Sequence, residues 1–403
     1  MLNKKKLSAA FISVFLCTCV FLLLGEVSLR IYYGFFEKGG NIWLPDDFLG
    51  LTHAPNYRFI YTEDFSKEFA IARKTNHLGL VGEEIIFRKP KDVFRILILG
   101  DSFTEGMHVR EGKNFCEQLQ NLLNSNAHSA TKHFEVINAG VAGYSPISEY
   151  LFFKRDLVKL SPDIVILELF PNDVFEDNKV GAMSVIGQDG LPVKINRFFM
   201  GKYLDRRYNV KQIEIPNAFF YKFKKYLQNK SMLFRTISRA AVKPLKKSRL
   251  HKKYTFLPVF DDHNQFFVIQ EYNLLYKNIN FRETALNKTK KYILAIKDLA
   301  AKNNAIFFMF YIPHEAQLKL ARYGDHSSIF RFPPNTYFNE KLHELSLEKN
   351  IGFLDLLPLF EEHKNDALYY NKDGHTTETG HYLIAEALFG YIKQAGYLKN
   401  LPL

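Results

Sequence analysis

After about residue 90, short apolar runs alternate with amphipathic stretches along most of the chain. Uninterrupted apolar runs are typical of strands that are buried on both faces of a parallel sheet. The pattern predicts five strands, at 94–100, 134–139, 163–170, 305–311 and 352–356. Helical periodicity predicts helices near 112–125, 146–160, 282–303, 335–349 and 378–394. Strands that alternate with helices indicate βαβ units and a parallel sheet.

A long apolar run follows three lysines near the N-terminus. Lys4, Lys5 and Lys6 precede residues 7–25, which are almost all apolar, and about 20 such residues span a bilayer. We predict a membrane anchor over residues 1–29, with its basic flank in the cytoplasm and the later residues in the periplasm or outside the cell. A cleaved signal peptide is the alternative, although residues 22–27 offer no convincing small-residue cleavage site.

Two regions interrupt the alternation of strands and helices. Residues 30–90 are an aromatic-rich lead-in without a clear period, and residues 91–403 form the predicted main domain, with a helical basic insertion at about 177–280. Within this insertion, residues 219–253 hold twelve Lys or Arg and no acid, as many charges as the net +12 of the whole chain. The stretch indicates a solvated helical face or attraction to anionic headgroups. Nucleic acid also attracts positive charge, but we expect no nucleic-acid partner for an exported domain.

Two predicted strands end in residues that can carry chemistry. The first strand runs into Gly100-Asp101-Ser102, a tight turn that presents one hydroxyl at the carboxyl edge of the sheet, where α/β sheets bind ligands. The third strand ends in Asn172-Asp173.

Two further segments contain residues that can carry chemistry. The second strand leads into a turn that contains Gly140 and Gly143, and Asp373-Gly374-His375 precedes the last predicted helix. We expect His381, which lies inside that helix, to pack in the core or to lie on the helix surface rather than to act in catalysis.

These four segments, in this order, resemble the signature blocks of the SGNH/GDSL hydrolase superfamily. Residues 76–80 and 88–90 resemble the entry segment of its membrane-anchored extracytoplasmic branch. The resemblance implies a flavodoxin-like three-layer αβα sandwich around a parallel sheet of about five strands. It also implies Ser102 as nucleophile, His375 as base, and an oxyanion hole formed by the amides of Ser102 and Gly143 and the side chain of Asn172. Gly140 is the alternative to Gly143.

The acid of the implied triad departs from the superfamily pattern. That pattern places two residues between acid and histidine, whereas here only Gly374 lies between them. The strict spacing falls on Lys372, which cannot act as an acid. We therefore predict Asp373 as the triad acid, with Asp366 and Glu378 as alternatives.

The implied chemistry explains these residue types. A serine hydroxyl needs an adjacent base, an imidazole can take and return the proton, and a carboxylate fixes its tautomer. We expect Asp101 and Asp173 to hold loops through bonds from backbone amides. The expected function is a serine esterase that removes a short acyl group from a cell-envelope glycan. The alternatives are a polysaccharide O-acyltransferase, a lipase or lysophospholipase, and a non-catalytic assembly protein.

The composition indicates a folded protein and gives no sign of a disulfide-rich or metal-binding one. The chain has 403 residues, of which 47% are hydrophobic and 24% are charged, so it can bury a sizeable core. Its three cysteines form no disulfide framework or Cys-type zinc site. Its thirteen histidines contain no His-Glu-x-x-His motif. We therefore predict neither a catalytic metal nor a cofactor, and an acyl ester as the substrate partner.

Overall fold

The computed structural model describes residues 4–36, 42–62, 68–126, 133–195, 231, 233, 279–318, 336–371 and 373–398. The chain forms two units. The first comprises Met1–Lys38 and Gly201–Asp261, and the second comprises Gly39–Met200 and Asp262–Leu403. The predicted basic stretch at 219–253 lies outside the described residues, apart from positions 231 and 233.

In the first unit, helix α1 (Lys4–Phe36) continues beyond the predicted anchor boundary at residue 29. Its window Ile12–Leu29 has a mean hydropathy of 2.2 and none of it is buried. By length and composition α1 can therefore cross a membrane, although a signal sequence would meet the same criteria. The carboxylate of Glu26 accepts bonds from the Ser231 hydroxyl and the Leu233 amide, at 2.8 and 2.9 Å.

The described part of the second unit contains eleven strands. They are β1 (Trp43–Asp46), β2 (Gly50–His53), β3 (Arg58–Thr62), β4 (Ala70–Lys74), β5 (Val93–Gly100), β6 (His133–Gly140), β7 (Ile164–Leu169), β8 (Ser184–Ile186), β9 (Pro192–Ile195), β10 (Ile306–Tyr311) and β11 (Gly352–Asp355).

The described part of the second unit also contains eight α-helices. They are α2 (Ser102–Glu105), α3 (Phe115–Ser125), α4 (Pro146–Arg155), α5 (Asp173–Met183), α6 (Ile279–Lys302), α7 (Tyr337–Lys349), α8 (Leu357–Glu362) and α9 (Glu378–Gln394), with 3₁₀ turns at Leu157–Leu160 and Glu315–Leu318.

Five strands form one parallel sheet in the order β11-β10-β7-β5-β6. The residues of β5 from Ile96 to Leu99 and of β7 from Ile164 to Leu167 are fully buried, because helices cover both faces of the sheet. Gly100 pairs with Gly140, and Leu99 pairs with Leu167. The carboxyl ends of β5, β6 and β7 therefore meet at one edge of the sheet.

Two helical layers enclose this sheet. Helices α3 and α9 contribute their apolar faces to one core with alternate residues of β5, β7 and β10. Helices α4, α5 and α6 pack together and against the sheet on the other side. The predicted three-layer αβα sandwich with a five-stranded parallel sheet is confirmed.

The structure differs from the predicted elements in three places. The lead-in, predicted without regular elements, contains the antiparallel hairpins β1–β2 and β3–β4. Helix α5 and the hairpin β8–β9 extend regular structure to Ile195, past the predicted break at 177. The predicted helix 146–160 ends at Arg155 and is followed by a 3₁₀ turn.

Candidate active site

Ser102 lies directly after the carboxyl end of β5, as the first residue of α2. Asp101 precedes it and accepts the Phe103 amide on Oδ1 at 2.8 Å, which fixes the turn. A Cβ atom at Gly100 would lie 2.5 Å from the Glu168 carboxylate, so glycine is required where the strand enters this turn. In three consecutive residues, Gly100 allows the Glu168 side chain to approach the backbone, Asp101 caps the turn, and Ser102 presents a half-buried hydroxyl.

A chain of hydrogen bonds joins Ser102, His375 and Asp373. The Ser102 Oγ lies 2.8 Å from Nε2 of His375, and Nδ1 of the same ring lies 2.6 Å from Oδ1 of Asp373. An ionised carboxylate only accepts hydrogen bonds, so Nδ1 carries the proton and Nε2 accepts the serine hydroxyl. This arrangement can take a proton from Ser102 while the carboxylate steadies the resulting imidazolium.

The short acid–histidine spacing depends on Gly374. This residue has φ of +80°, the left-handed conformation that glycine adopts without strain. The turn brings the carboxylate of Asp373 back onto the ring of His375, only two residues later. The loop is held from the lead-in, because the Glu68 carboxylate accepts the amides of Asn371 and Asp373 at 3.0 Å each.

The two alternative acids have other partners. Glu378 forms two 2.6 Å bonds with the Arg110 guanidinium, which lowers the pKa of that carboxyl. Asp366 lies 2.9 Å from the exposed His363 ring. Among the described residues, Asp373 is the acid that the structure places beside His375.

The loop after β6 presents the amide of Gly143. Gly143 has φ of +78°, and no atom lies within 4 Å of the position a Cβ would take. Within the described part of the chain, its amide has no recorded acceptor. The Gly140 amide, in contrast, donates to Oδ1 of Asn138 at 2.9 Å, so of the two glycines Gly143 is the one placed to donate to a ligand.

Asn172 lies beyond the end of β7 and faces the same turn. Its Nδ2 donates to Oδ2 of Asp101 at 3.3 Å, which leaves the second amide hydrogen for a ligand. Asp101 therefore holds both the turn at Ser102 and the side chain of Asn172. Asp173, next in sequence, accepts the Phe170 amide at 2.8 Å. The loop-holding roles predicted for the two aspartates are confirmed.

His108 is a site residue that the sequence analysis missed. Its ring stacks on that of His375, with centroids 3.8 Å apart and planes 16° apart. It is buried, and burial together with the nearby charge of His375 holds the pKa of His108 well below its usual range. A neutral ring therefore backs His375. Nothing marks His108 in the sequence apart from its position six residues after Ser102.

His381 packs in the core, which is one of the two positions predicted for it. It is buried in α9, and its Nδ1 accepts the Phe115 amide at 3.1 Å. Burial lowers the pKa of His381 to about 3, so the ring is neutral at physiological pH.

By distance alone, His108, Asp373 and His375 could also bind a metal ion, since their ligand atoms lie within 4.8 Å of one another. The two rings are nearly parallel, so their nitrogen lone pairs do not converge on one point. Oδ1 of Asp373 already accepts from His375. The geometry therefore fits a hydrogen-bonded chain better than a metal site.

Several acidic side chains are buried behind the site. The Glu168 carboxylate accepts the Asp101 amide and the Thr104 hydroxyl at 3.1 and 3.2 Å. Burial, reinforced by the charge of Asp101, raises the pKa of Glu168 well above its usual range. Burial also raises the pKa of Asp101. Both shifts disfavour the ionised forms of the two carboxyls beneath the turn that carries Ser102.

The family to which the chain belongs follows from its sequence match. The model of the family described as GDSL-like lipase/acylhydrolase matches residues 96–388. This range includes Ser102, Gly143, Asn172, Asp373 and His375, and all of the parallel sheet except the first three residues of β5. The chain belongs to the GDSL-like lipase/acylhydrolase family and is therefore a hydrolase that acts on ester bonds.

Several solved structures match the chain at low sequence identity. The acetyl xylan esterase AlAXEase is 13% identical, with 74% of this chain and 100% of that chain covered and a TM-score of 0.40. The esterase EstA from Pseudoalteromonas sp. is 14% identical, with coverage of 75% and 97% and a TM-score of 0.37. TesA is 11% identical, with coverage of 74% and 98% and a TM-score of 0.37. No curated protein matches the sequence.

Proposed function

We propose that the protein is a serine esterase in which Ser102 is the nucleophile, His375 the base and Asp373 the orienting acid. The observation that carries this proposal is the continuous chain of hydrogen bonds from Ser102 Oγ through His375 to Asp373, at 2.8 and 2.6 Å. A nucleophile bonded to a base that is itself oriented by a third group is the arrangement that activates a hydroxyl.

The reaction proceeds through an acyl-enzyme. Ser102 Oγ attacks the ester carbonyl while its proton passes to Nε2 of His375, and the carbonyl oxygen becomes an oxyanion. The C–O bond to the alcohol breaks, and His375 returns the proton to the departing alkoxide. A water molecule then attacks the acyl-enzyme by the same proton transfers, which releases the acid and restores Ser102.

Three donors would stabilise the oxyanion. They are the backbone amides of Ser102 and Gly143 and the side-chain amide of Asn172, which follow the carboxyl ends of β5, β6 and β7. Because these strands end at one edge of the sheet, donors that are far apart in sequence can converge on one oxygen. Each such donor is typically worth about 2.7–4 kcal/mol of barrier.

Replacing the nucleophile tests this assignment. Ser102→Ala removes the attacking hydroxyl, so we expect essentially no hydrolysis of p-nitrophenyl acetate and an unchanged thermal midpoint. Ser148→Ala is a matched control, since Ser148 is a buried serine on α4. Normal turnover by folded Ser102→Ala would end the proposal.

We further propose that α1 anchors the enzyme as a single span, with its lysines in the cytoplasm and the catalytic domain outside. The support is the apolar window Ile12–Leu29 after three lysines. Reporters active only in the cytoplasm or only in the periplasm, fused after residue 403, test this topology. A signal from the cytoplasmic reporter alone contradicts it, and a soluble trimmed protein indicates a cleaved signal.

For the substrate, we propose a short acyl ester on a cell-envelope glycan. The support is the resemblance to the anchored extracytoplasmic branch, together with an anchor that would confine the site to the envelope. We expect acetyl p-nitrophenyl ester to be cleaved faster than butyryl or palmitoyl ester, and acetylated xylan faster than lysophospholipid. Rates that rise with chain length indicate a lipase, and acyl transfer to an added glycan indicates an acyltransferase.

A further inference from the structure

The lead-in contacts the loop that carries Gly143 directly at Tyr144, and through Glu105 at Ala142. We name residues 141–145 the oxyanion loop. We propose that strand β2 of the lead-in, acting partly through Glu105, is a clamp that positions the Gly143 amide for the developing oxyanion. This inference rests on the esterase function proposed above, and it assigns His53, Glu105 and Tyr144 as positioning residues.

The first contact of the clamp lies on the N-terminal side of Gly143. Oε1 of Glu105 accepts the Ala142 amide at 3.1 Å and lies 2.6 Å from Nε2 of His53. Both side chains are about 1% exposed. Glu105 is the last residue of α2, the helix that begins with Ser102, so this carboxylate links the nucleophile turn to the oxyanion loop.

Hydrogen-bonding rules show that both ring nitrogens of His53 take part in hydrogen bonds. Nδ1 of His53 lies 3.1 Å from the carbonyl oxygen of Gly79, which only accepts, so Nδ1 carries a proton. A further proton lies between Nε2 and Oε1, whichever atom holds it. His53 and Glu105 therefore form a continuous series of hydrogen bonds that runs from the carbonyl oxygen of Gly79 to the amide of Ala142.

The second contact lies on the C-terminal side of Gly143. The hydroxyl of Tyr144 donates to the carbonyl oxygen of Leu51 at 2.6 Å, and the tyrosine is 2% exposed. Leu51 and His53 are both in β2. One short strand thus holds the residue before Gly143 and the residue after it.

Gly143 has no side chain to fix its position, which is set by a turn in which the Tyr144 amide donates to the carbonyl oxygen of Val141 at 2.9 Å. Its φ of +78° is accessible to glycine, and no atom lies within 4 Å of a Cβ placed there. The direction of its amide therefore depends on the neighbouring residues that are held. Because an oxyanion donor acts only when it is aimed at the developing charge, a displacement of about 1 Å can cost about 10²-fold in rate.

Two substitutions remove the contacts separately. Tyr144→Phe removes only the hydroxyl, and we expect kcat to fall about tenfold with KM unchanged, as a donor is partly misaligned. Glu105→Leu removes both bonds of the carboxylate, and we expect a loss of about 10²-fold in kcat. Glu105→Gln removes the charge but keeps an oxygen that accepts the Ala142 amide, so it should retain kcat within about threefold if position rather than charge matters.

A lead-in residue outside the clamp provides the control. The Thr75 hydroxyl donates to the carbonyl oxygen of Ala54 at 2.6 Å and is buried. Thr75→Val therefore loses a buried lead-in bond of the same kind and length as the Tyr144 bond, together with the 3.0 Å bond that the Thr75 oxygen accepts from the Tyr57 amide. We expect a lower thermal midpoint for this variant and an unchanged kcat.

The second readout is inhibition by ethylboronic acid. Its boron forms a bond to Ser102 Oγ while the serine proton passes to His375 and no bond to boron breaks, which gives a tetrahedral anion. Because this adduct mimics the transition state, its inhibition constant should rise by the factor by which kcat/KM falls. A role confined to stability would leave both quantities unchanged at temperatures where the variants are folded.

Each outcome decides the proposal. Parallel losses in kcat/KM and boronate affinity for Tyr144→Phe, with Thr75→Val unaffected, support the clamp even if Glu105→Leu does not fold. Wild-type kcat and boronate affinity in folded Tyr144→Phe overturn it, as does an equal loss in Thr75→Val. Failure of the esterase function is a separate result, in which the wild-type chain neither cleaves p-nitrophenyl acetate nor binds the boronate.

Discussion

The parallel sheet and the lead-in hairpins contribute to the site in opposite ways. Ser102 and the two oxyanion donors that we propose, Gly143 and Asn172, follow the ends of strongly apolar strands of the sheet. The lead-in contributes bonds to the loops around them, from β2 and from Glu68. Under the proposed mechanism, strands that the sequence predicts lead to the reacting groups, whereas short hairpins that it does not predict hold the loops around them.

The largest effect should come from removing the base. His375→Ala deletes the acceptor of the Ser102 proton, and since base and nucleophile act as a unit, we expect a loss of about 10⁴–10⁶-fold in kcat. Asp373→Asn should cost less. Steady-state hydrolysis of p-nitrophenyl acetate measures both, with His363→Ala as control, since His363 is exposed and pairs with Asp366. Equal activity of His375→Ala and wild type would contradict the proposed role of His375 as the base.

The next effect concerns a donor at the sheet edge. Asn172→Ala removes one oxyanion donor, so we expect kcat to fall about 10²–10³-fold with little change in KM. Asn172→Asp is an informative partner, because a carboxylate beside Asp101 and the oxyanion repels both and should be at least as damaging. A loss seen only in KM would indicate ground-state binding instead.

The buried carboxyl of Asp177, on helix α5, should make the stability of the protein depend on pH. Burial raises the pKa of Asp177 to about 7, so between pH 4 and 7 the folded state binds more protons than the unfolded state and stability falls as pH rises. Asp177→Asn can still accept the Ile147 amide, which Asp177 binds at 2.9 Å. From pH 5 to 7 the wild type should lose about 2.3 kcal/mol in total relative to this variant, with a slope that falls to about half its initial value by pH 7.

Urea unfolding at pH 5, 6, 7 and 8 measures this difference. Other buried groups titrate in both proteins and largely cancel in the comparison. Parallel curves for the two proteins across this range would show that Asp177 titrates normally in the folded chain.

The smallest of these effects should lie in the lead-in. Glu68→Ala removes the acceptor for the amides of Asn371 and Asp373, and we expect about a tenfold loss in kcat as the acid loop loses alignment. Glu83→Ala is the matched control, because Glu83 pairs with Lys74 on the surface, where its side chain is 73% exposed. Losses of equal size in both variants would mean that the lead-in acts through stability alone.

The predictability of each region follows from how its side chains are buried. Strand β7 and helix α9 were predicted because apolar residues mark their buried faces, and α9 begins and ends at the predicted residues. The hairpins of the lead-in were missed, since strands of four or five residues are too short to show a period. Helix α5 was predicted only as a break, because two of the residues that it buries are Asp173 and Asp177.

The site was predictable to the level of residue types but not of contacts. The segments around Ser102, Asn172 and His375 were recognisable as strand ends and turns. The stacking of His108 on His375 and the bond from Glu105 to Ala142 depend on tertiary packing. A glutamate and a histidine near a serine have many possible partners, and only the folded chain selects among them.

The contact between Ser102 and His375 joins residues 273 positions apart, which has a consequence for biosynthesis. At about 5–20 residues per second, a ribosome adds His375 roughly 15–55 seconds after Ser102. During that interval the nascent chain already holds the nucleophile, the oxyanion loop and the lead-in, but no base. Under the proposed mechanism the growing chain is inert toward esters, and activity begins only when the late Asp-Gly-His turn docks at the sheet edge.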